Sequence, residues 1–261
     1  MKNIFFNNFI IRVISSIVLI FLIFFFNYLG SYYFLFLLVV SFFILLNEYY
    51  KLFNLNDLSI NFFINYIIII INFFFIFYGF NLLPIFFTIL GLLIGLLLNK
   101  KRWPLVIFSY FYLAFPFYIL IFLNNYFLNG KLIILWLLCI VCASDSSAYI
   151  FGSIIKGKKL LPSISPNKTW SGFLFSIIFS VIGSICFSYL FNITSITKSM
   201  IIGLILGFST SLGDLFESYL KRINSKKDVS KLIPGHGGLL DRLDGFLFAI
   251  VVMFFFVLLW E

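Results

Sequence analysis

Apolar residues run along this chain in nine blocks, at roughly 10–28, 32–47, 60–79, 82–98, 104–125, 131–151, 171–191, 199–216 and 241–260. A helix needs about 20 apolar residues to cross a bilayer. The pattern therefore predicts an all-α integral membrane protein, a polytopic bundle of about nine transmembrane helices. No linker is long enough to set off a soluble domain. The expectation is one polytopic membrane domain over 1–261, with residues 1–128 as N-terminal scaffold helices and 129–261 as catalytic helices and loops. The first block is too long and too weakly bounded to be a cleaved signal peptide.

The short polar stretches between blocks fix an orientation. With nine spans, one side collects Lys2, Arg12, Lys51, Lys100, Lys101, Arg102, Lys156, Lys158, Lys159, Lys168, Lys221, Arg222, Lys226, Lys227 and Lys231, which is 15 of 18 basic residues. By the positive-inside rule that side, with the amino terminus, is cytoplasmic and Glu261 is outside. Gly91/Gly95 and Gly203/Gly207 have GxxxG spacing, a mark of close packing within the bundle or between subunits.

Composition agrees: 63% of residues are hydrophobic and 10% charged, against about half and about a quarter in soluble domains. The net charge of +9 does not indicate nucleic acid, because the basic residues sit in short loops between apolar blocks. Cys139 and Cys142 form a C-x-x-C, but with no second pair or nearby histidine they read as small packing residues. "GSIIKGKK" (152–159) is not a P-loop, since Lys159 stands where a metal-binding hydroxyl is needed and a helix precedes it.

Six of the nine acidic residues, Asp145, Asp214, Glu217, Asp228, Asp241 and Asp244, fall between 145 and 244. An intramembrane aspartate costs about 2.5–3.5 kcal/mol to insert and is by default a functional candidate. Asp145 alone could equally be a hydrogen-bonding tie between helices; a cluster of carboxylates beside basic loops favours function. Asp241 and Asp244, like Asp214 and Glu217, are spaced to share one helix face. Such hard oxygen donors suit Mg²⁺. Lys168, Lys221, Arg222, Lys227 and Arg242 suit phosphate groups. Gly235, Gly237 and Gly238 free the backbone for an anion-accepting turn at a helix start. Together these describe phosphoryl or nucleotidyl chemistry. Helix capping by Asp241 would explain that residue but not the density of His, Gly, Asp and Arg around it.

The stretch "SYLKRINSKKDVSKLIPGHGGLLDRLD" (218–244) resembles the signature of phosphatidate cytidylyltransferases, the CDP-diacylglycerol synthases. Its S-x-x-K-R, K-D and P-G-H-G-G-x-x-D-R-x-D elements all appear at matching spacing. "GDLFES" (213–218), "SPNKTW" (165–170) and "DSSAY" (145–149) extend the similarity; in the first half, span count, Arg12 and Glu48 agree with it.

The resemblance implies a multi-pass inner-membrane enzyme, with its site on the cytoplasmic side. It would convert CTP and phosphatidate into CDP-diacylglycerol and pyrophosphate with Mg²⁺, with K⁺ as a second ion and a homodimer as the assembly. It implies Asp214, Asp241 and Asp244 as metal ligands, with Lys227, Asp228 and His236 also in the reacting network. Asp145, Ser165, Asn167, Lys168, Ser218, Lys221, Arg222, Gly235, Gly237, Gly238 and Arg242 would bind substrate. Ser171, Ser147 and Val229 stand where the family usually has Glu, Gly or Ala, and Ser. The alternatives are a CTP-dependent polyprenol or lipid kinase, or a cation transporter.

Overall fold

The computed structural model describes residues 18–55, 60–80, 82–98, 102–226, 228–230, 232–233 and 237–260. Each expected span contains a helix. They are α1 (Val18–Leu29), α2 (Ser31–Leu52), α3 (Ile60–Phe77), α4 (Leu83–Leu98), α5 (Trp103–Tyr126), α6 (Gly130–Ile155), α7 (Trp170–Leu190), α8 (Ile196–Ile223) and α9 (Leu240–Trp260). Six of these, α2 and α5 to α9, are long and apolar enough to cross a membrane; α1, α3 and α4 carry shorter apolar stretches. The chain is a helical membrane protein.

Sequence reading did not anticipate one element: Lys159–Leu161 (β1) and Ser165–Thr169 (β2) pair antiparallel between α6 and α7. The stretch read as a cationic loop is a short hairpin.

The chain divides into two compact units. The first holds α1 to α5 and the later segment Asp228–Asp241; the second holds α6 from Leu132, the hairpin, α7, α8 and α9 from Arg242.

In the first unit, Phe42, Phe73 and Phe117 form the core, with ring centroids 5.4, 5.5 and 6.1 Å apart. None is more than 2% exposed. The Gly91/Gly95 pair packs α4 inside the unit: a side chain at Gly91 would strike Tyr110 and Ile68, and one at Gly95 would strike Val106. α5 contains one π turn, Tyr110–Ala114, ending two residues before Pro116. Proline lacks the N–H that an α-helix needs and its ring clashes with the carbonyl four residues back; the wider turn absorbs both faults.

In the second unit, α7 and α8 pack along much of their length. Ser176, Ser180, Ser184 and Ser188 recur every fourth residue along α7 and are 0–1% exposed. Ser180 Oγ donates to Gly203 O (2.8 Å), Ser184 Oγ to Ser199 O (2.7 Å), and Ser176 meets Ser211 at 3.1 Å. Gly203 and Gly207 lie against this serine face. Small residues let the backbones approach and hydroxyls satisfy the carbonyls met there. The Gly203/Gly207 pair therefore packs α8 on α7.

At 28 residues, α8 is about 42 Å long, more than the ~30 Å hydrocarbon thickness. Its surplus is the polar end, Asp214 to Arg222.

Candidate active site

The second unit gathers four acidic side chains. α8 brings Asp214 and Glu217, α9 brings Asp244 and α6 brings Asp145. Asp244 lies within electrostatic reach of Asp214, Glu217 and Asp145, and Asp145 within reach of Asp214, Lys168 and Arg242. Asp145 is exposed, Asp214 half-buried and Asp244 buried at 7%.

Two glycines account for the meeting of Asp214 and Asp244. Gly213 precedes the first aspartate and Gly245 follows the second, and α8 crosses α9 between them. A Cβ on Gly213 would lie 2.6 Å from Asp244 O and 2.9 Å from Gly245 Cα; one on Gly245 would lie 2.9 Å from Thr210 O. Backbone thus touches backbone, and the carboxylate next to each glycine is delivered to the crossing. Asp244 Oδ1 also accepts the Gly245 N–H at 2.7 Å, which holds its side chain.

Cations are interleaved with these acids. Lys168, on β2, places Nζ 2.6 Å from Asp214 Oδ2, and Lys221 places Nζ 2.6 Å from Oε2 of the fully buried Glu217 one turn away. Arg222 turns instead to the hairpin, donating Nε–H to Ile164 O (3.1 Å) and Nη1–H to Lys226 O (3.3 Å). Its role in this structure is to brace the hairpin that carries Lys168.

Ser165 is half-buried, while Asn167 is exposed and, by strand alternation, points away from Lys168. Ser218 is half-buried on α8 and Arg242 is exposed at the start of α9.

The two serines that depart from the family pattern have structural partners. Ser171 Oγ donates to Lys156 O (2.5 Å) and meets Thr169 Oγ1 at 3.0 Å, closing the hairpin neck. The buried Ser147 Oγ donates to Ser144 O (2.9 Å) and Phe175 O (3.2 Å), tying α6 to α7.

The remaining candidates belong to the first unit. Gly237 has φ +92°, a left-handed conformation suited to glycine. Its N–H donates to Ile233 O at 3.2 Å. Gly238 N–H donates to Asp241 Oδ2 at 2.7 Å. The next two amides, of Leu239 and Leu240, donate to Glu48 Oε1 (3.0 Å) and Oε2 (2.7 Å). The amides of 238 to 240 thus donate to two of the chain's own carboxylates, Asp241 and Glu48. Asp228 is exposed. Lys227, Gly235 and His236, like Arg12, lie outside the described residues.

Glu48, Gly213 and Gly245 were not among the candidate site residues, and Glu217 was read only as sharing a helix face with Asp214. Glu48 was signalled only by its agreement with the family resemblance, and Gly213 only as part of the GDLFES stretch.

Among the described residues, no three His, Cys, Asp or Glu side chains stand at metal-ligating spacing. The donor chemistry nevertheless fits a hard divalent cation. Asp214 and Asp244 offer carboxylate oxygens at one helix crossing, with Asp145 in their field.

Comparison with known proteins gives the family. The model of the cytidylyltransferase family matches residues 10–260. The chain belongs to that family. It is 36% identical over 129 residues, 49% of its length, to an uncharacterised protein of Escherichia coli, of which that match spans 43%. It is 37% identical over 163 residues, 60% of its length, to a phosphatidate cytidylyltransferase of Rickettsia felis, of which 71% is spanned. Over 140 residues, 51% of its length, it is 39% identical to a phosphatidate cytidylyltransferase of Helicobacter pylori, of which 50% is spanned.

Proposed function

We propose that the chain is a phosphatidate cytidylyltransferase, forming CDP-diacylglycerol and pyrophosphate from CTP and phosphatidate. The observation that carries this reading is the Asp214–Asp244 meeting at the Gly213/Gly245 crossing, with Lys168 on Asp214. Family membership supports it independently.

The reaction joins two polyanions. A phosphatidate phosphate oxygen attacks the α-phosphorus of CTP, a P–O bond forms, and the bond to the β-phosphate breaks to release pyrophosphate. The second pKa of a phosphomonoester is about 6, so the nucleophile is ionised at neutral pH and needs no dedicated base. The chain's own task is to hold two negative groups together in line. Lys168 and Arg242 supply fixed positive charge beside the carboxylates. Lys221, held by Glu217, keeps a further cation on the same helix.

Asp214 and Asp244 would hold Mg²⁺, with Asp145 beside them. Bound there, the ion would screen phosphate repulsion and stabilise charge on the leaving pyrophosphate. K⁺ as a second ion, and a homodimer, belong to the same reading. Asp241, the third carboxylate the resemblance gives to the metal, is assigned to the reaction by resemblance and is tested separately below.

The nine helices among the described residues are read as nine spans with the amino terminus cytoplasmic, in the inner membrane, and with the site on the cytoplasmic side. The basic loops support this through the positive-inside rule. Phosphatidate would enter from the lipid and CTP from the cytosol.

The test is pyrophosphate release by purified protein given CTP and Mg²⁺, with and without phosphatidate. Release that requires phosphatidate is expected. A folded preparation that releases none, or passes a phosphate to a polyprenol instead, would overturn the reading.

A further inference from the structure

We infer that Glu48 is a positioning residue for cytidylyl transfer, acting through the backbone of the signature segment; the inference rests on the function proposed above. Glu48 sits on α2 and is 3% exposed. Its carboxylate accepts Leu239 N–H (3.0 Å) and Leu240 N–H (2.7 Å), and Ser230 Oγ–H at 2.5 Å.

The burial of this acid is explained by what it faces. The opening amides of a helix have no partner within it and carry the positive end of its dipole. Helices are ordinarily capped by a neighbouring Ser, Thr, Asp or Asn. A local cap would satisfy these amides without fixing where the helix begins. A cap drawn from α2, 191 and 192 residues away in sequence, does both.

Two details tie Glu48 to the signature segment. Gly238 leaves room for the carboxylate: a Cβ there would lie 2.7, 2.8 and 2.9 Å from Glu48 Oε1, Oε2 and Cδ. The second glycine of the G-G pair is thus the complement of an acid on α2. The amide of Gly238 is taken by Asp241, so three successive amides, 238 to 240, are shared between Asp241 and Glu48. Releasing Glu48 therefore releases the turn against which Asp241 is set. The effect falls on catalysis through Asp241 and the segment around it, with no need for Glu48 to touch substrate.

The test pairs kinetics with amide exchange on the full protein in detergent. Glu48→Ala should raise deuterium exchange at Leu239 and Leu240 about tenfold or more. It should lower kcat by about tenfold or more, with KM for CTP little changed. Gly238→Ala should do the same by pushing on the carboxylate. Glu48→Asp, one methylene shorter, should restore part of the activity when combined with Gly238→Ala. Unchanged exchange, unchanged kcat, or a double variant no better than Gly238→Ala would overturn the role. If Glu48→Ala does not fold, Glu48→Gln, which keeps one acceptor oxygen, carries the same comparison. Wild-type protein that protects these amides but makes no CDP-lipid would sink the proposed function and leave the exchange result standing.

Discussion

Gly213 and Gly245 meet backbone to backbone where α8 crosses α9, and the aspartates beside them meet as a consequence. A methyl group on Gly213 would have to lie 2.6 Å from Asp244 O. Neither helix backbone can yield without moving a carboxylate. Gly213→Ala should cost about 1–3 kcal/mol of stability through overpacking. It should cut turnover more steeply, because an ~1 Å misplacement can cost on the order of 100-fold in rate. Thermal melting and kcat of the purified variant check this; a variant with wild-type kcat would show that the crossing does not set the site.

Lys168 places its Nζ 2.6 Å from Asp214 Oδ2. Replacing it with methionine keeps much of the stem's bulk and removes the charge. Turnover should fall by about 100-fold or more, the cost typical of losing one preorganised electrostatic group, while the melting temperature changes little. A loss of stability equal to the loss of activity would make Lys168 a structural tie only.

Glu217 and Lys221 test whether a buried pair supports α8. Their side chains are 0% and 14% exposed. Lys221→Met leaves the Glu217 carboxylate buried beside the other acids and should destabilise by about 3–5 kcal/mol. Adding Glu217→Gln should restore most of that stability, since removing both charges ends the imbalance. Urea or thermal unfolding of the three variants measures the coupling; strict additivity would contradict it.

Asp241→Asn separates charge from shape. An asparagine oxygen still accepts the Gly238 N–H that Asp241 Oδ2 holds at 2.7 Å. Membrane insertion and melting should therefore survive, and turnover should be abolished. Retained activity would remove Asp241 from the reacting centre.

Much of this fold was legible because the bilayer leaves one signal, apolar length, that local sequence carries. All nine blocks contain helices. The polar extensions of α6 and α8 were read as loops, since helix beyond the apolar block leaves no hydropathy trace. The β1–β2 hairpin was also missed: strands of three and five residues rich in Pro, Ser and Lys carry no alternating pattern.

At the site, Asp214 and Asp244 were legible as acids beside basic loops. That they share a site was expected; the backbone crossing that joins them was not legible, because it depends on glycines from helices distant in sequence. The serines at 176, 180, 184 and 188 recur every fourth residue, but the partners of Ser180 and Ser184 are backbone carbonyls of α8 that no sequence pattern identifies. Glu48 was visible only through the family resemblance; its partners lie 182 to 192 residues away.

The central claim concerns which phosphorus of CTP is attacked. Purified protein with phosphatidate and Mg²⁺ should be given CTP labelled at either the α- or the γ-phosphate, and the label in extracted lipid counted. Attack at the α-phosphorus predicts that α-label enters the lipid and γ-label leaves as pyrophosphate. Lipid carrying the γ-label, with CDP as the soluble product, would contradict the account and make the chain a lipid kinase.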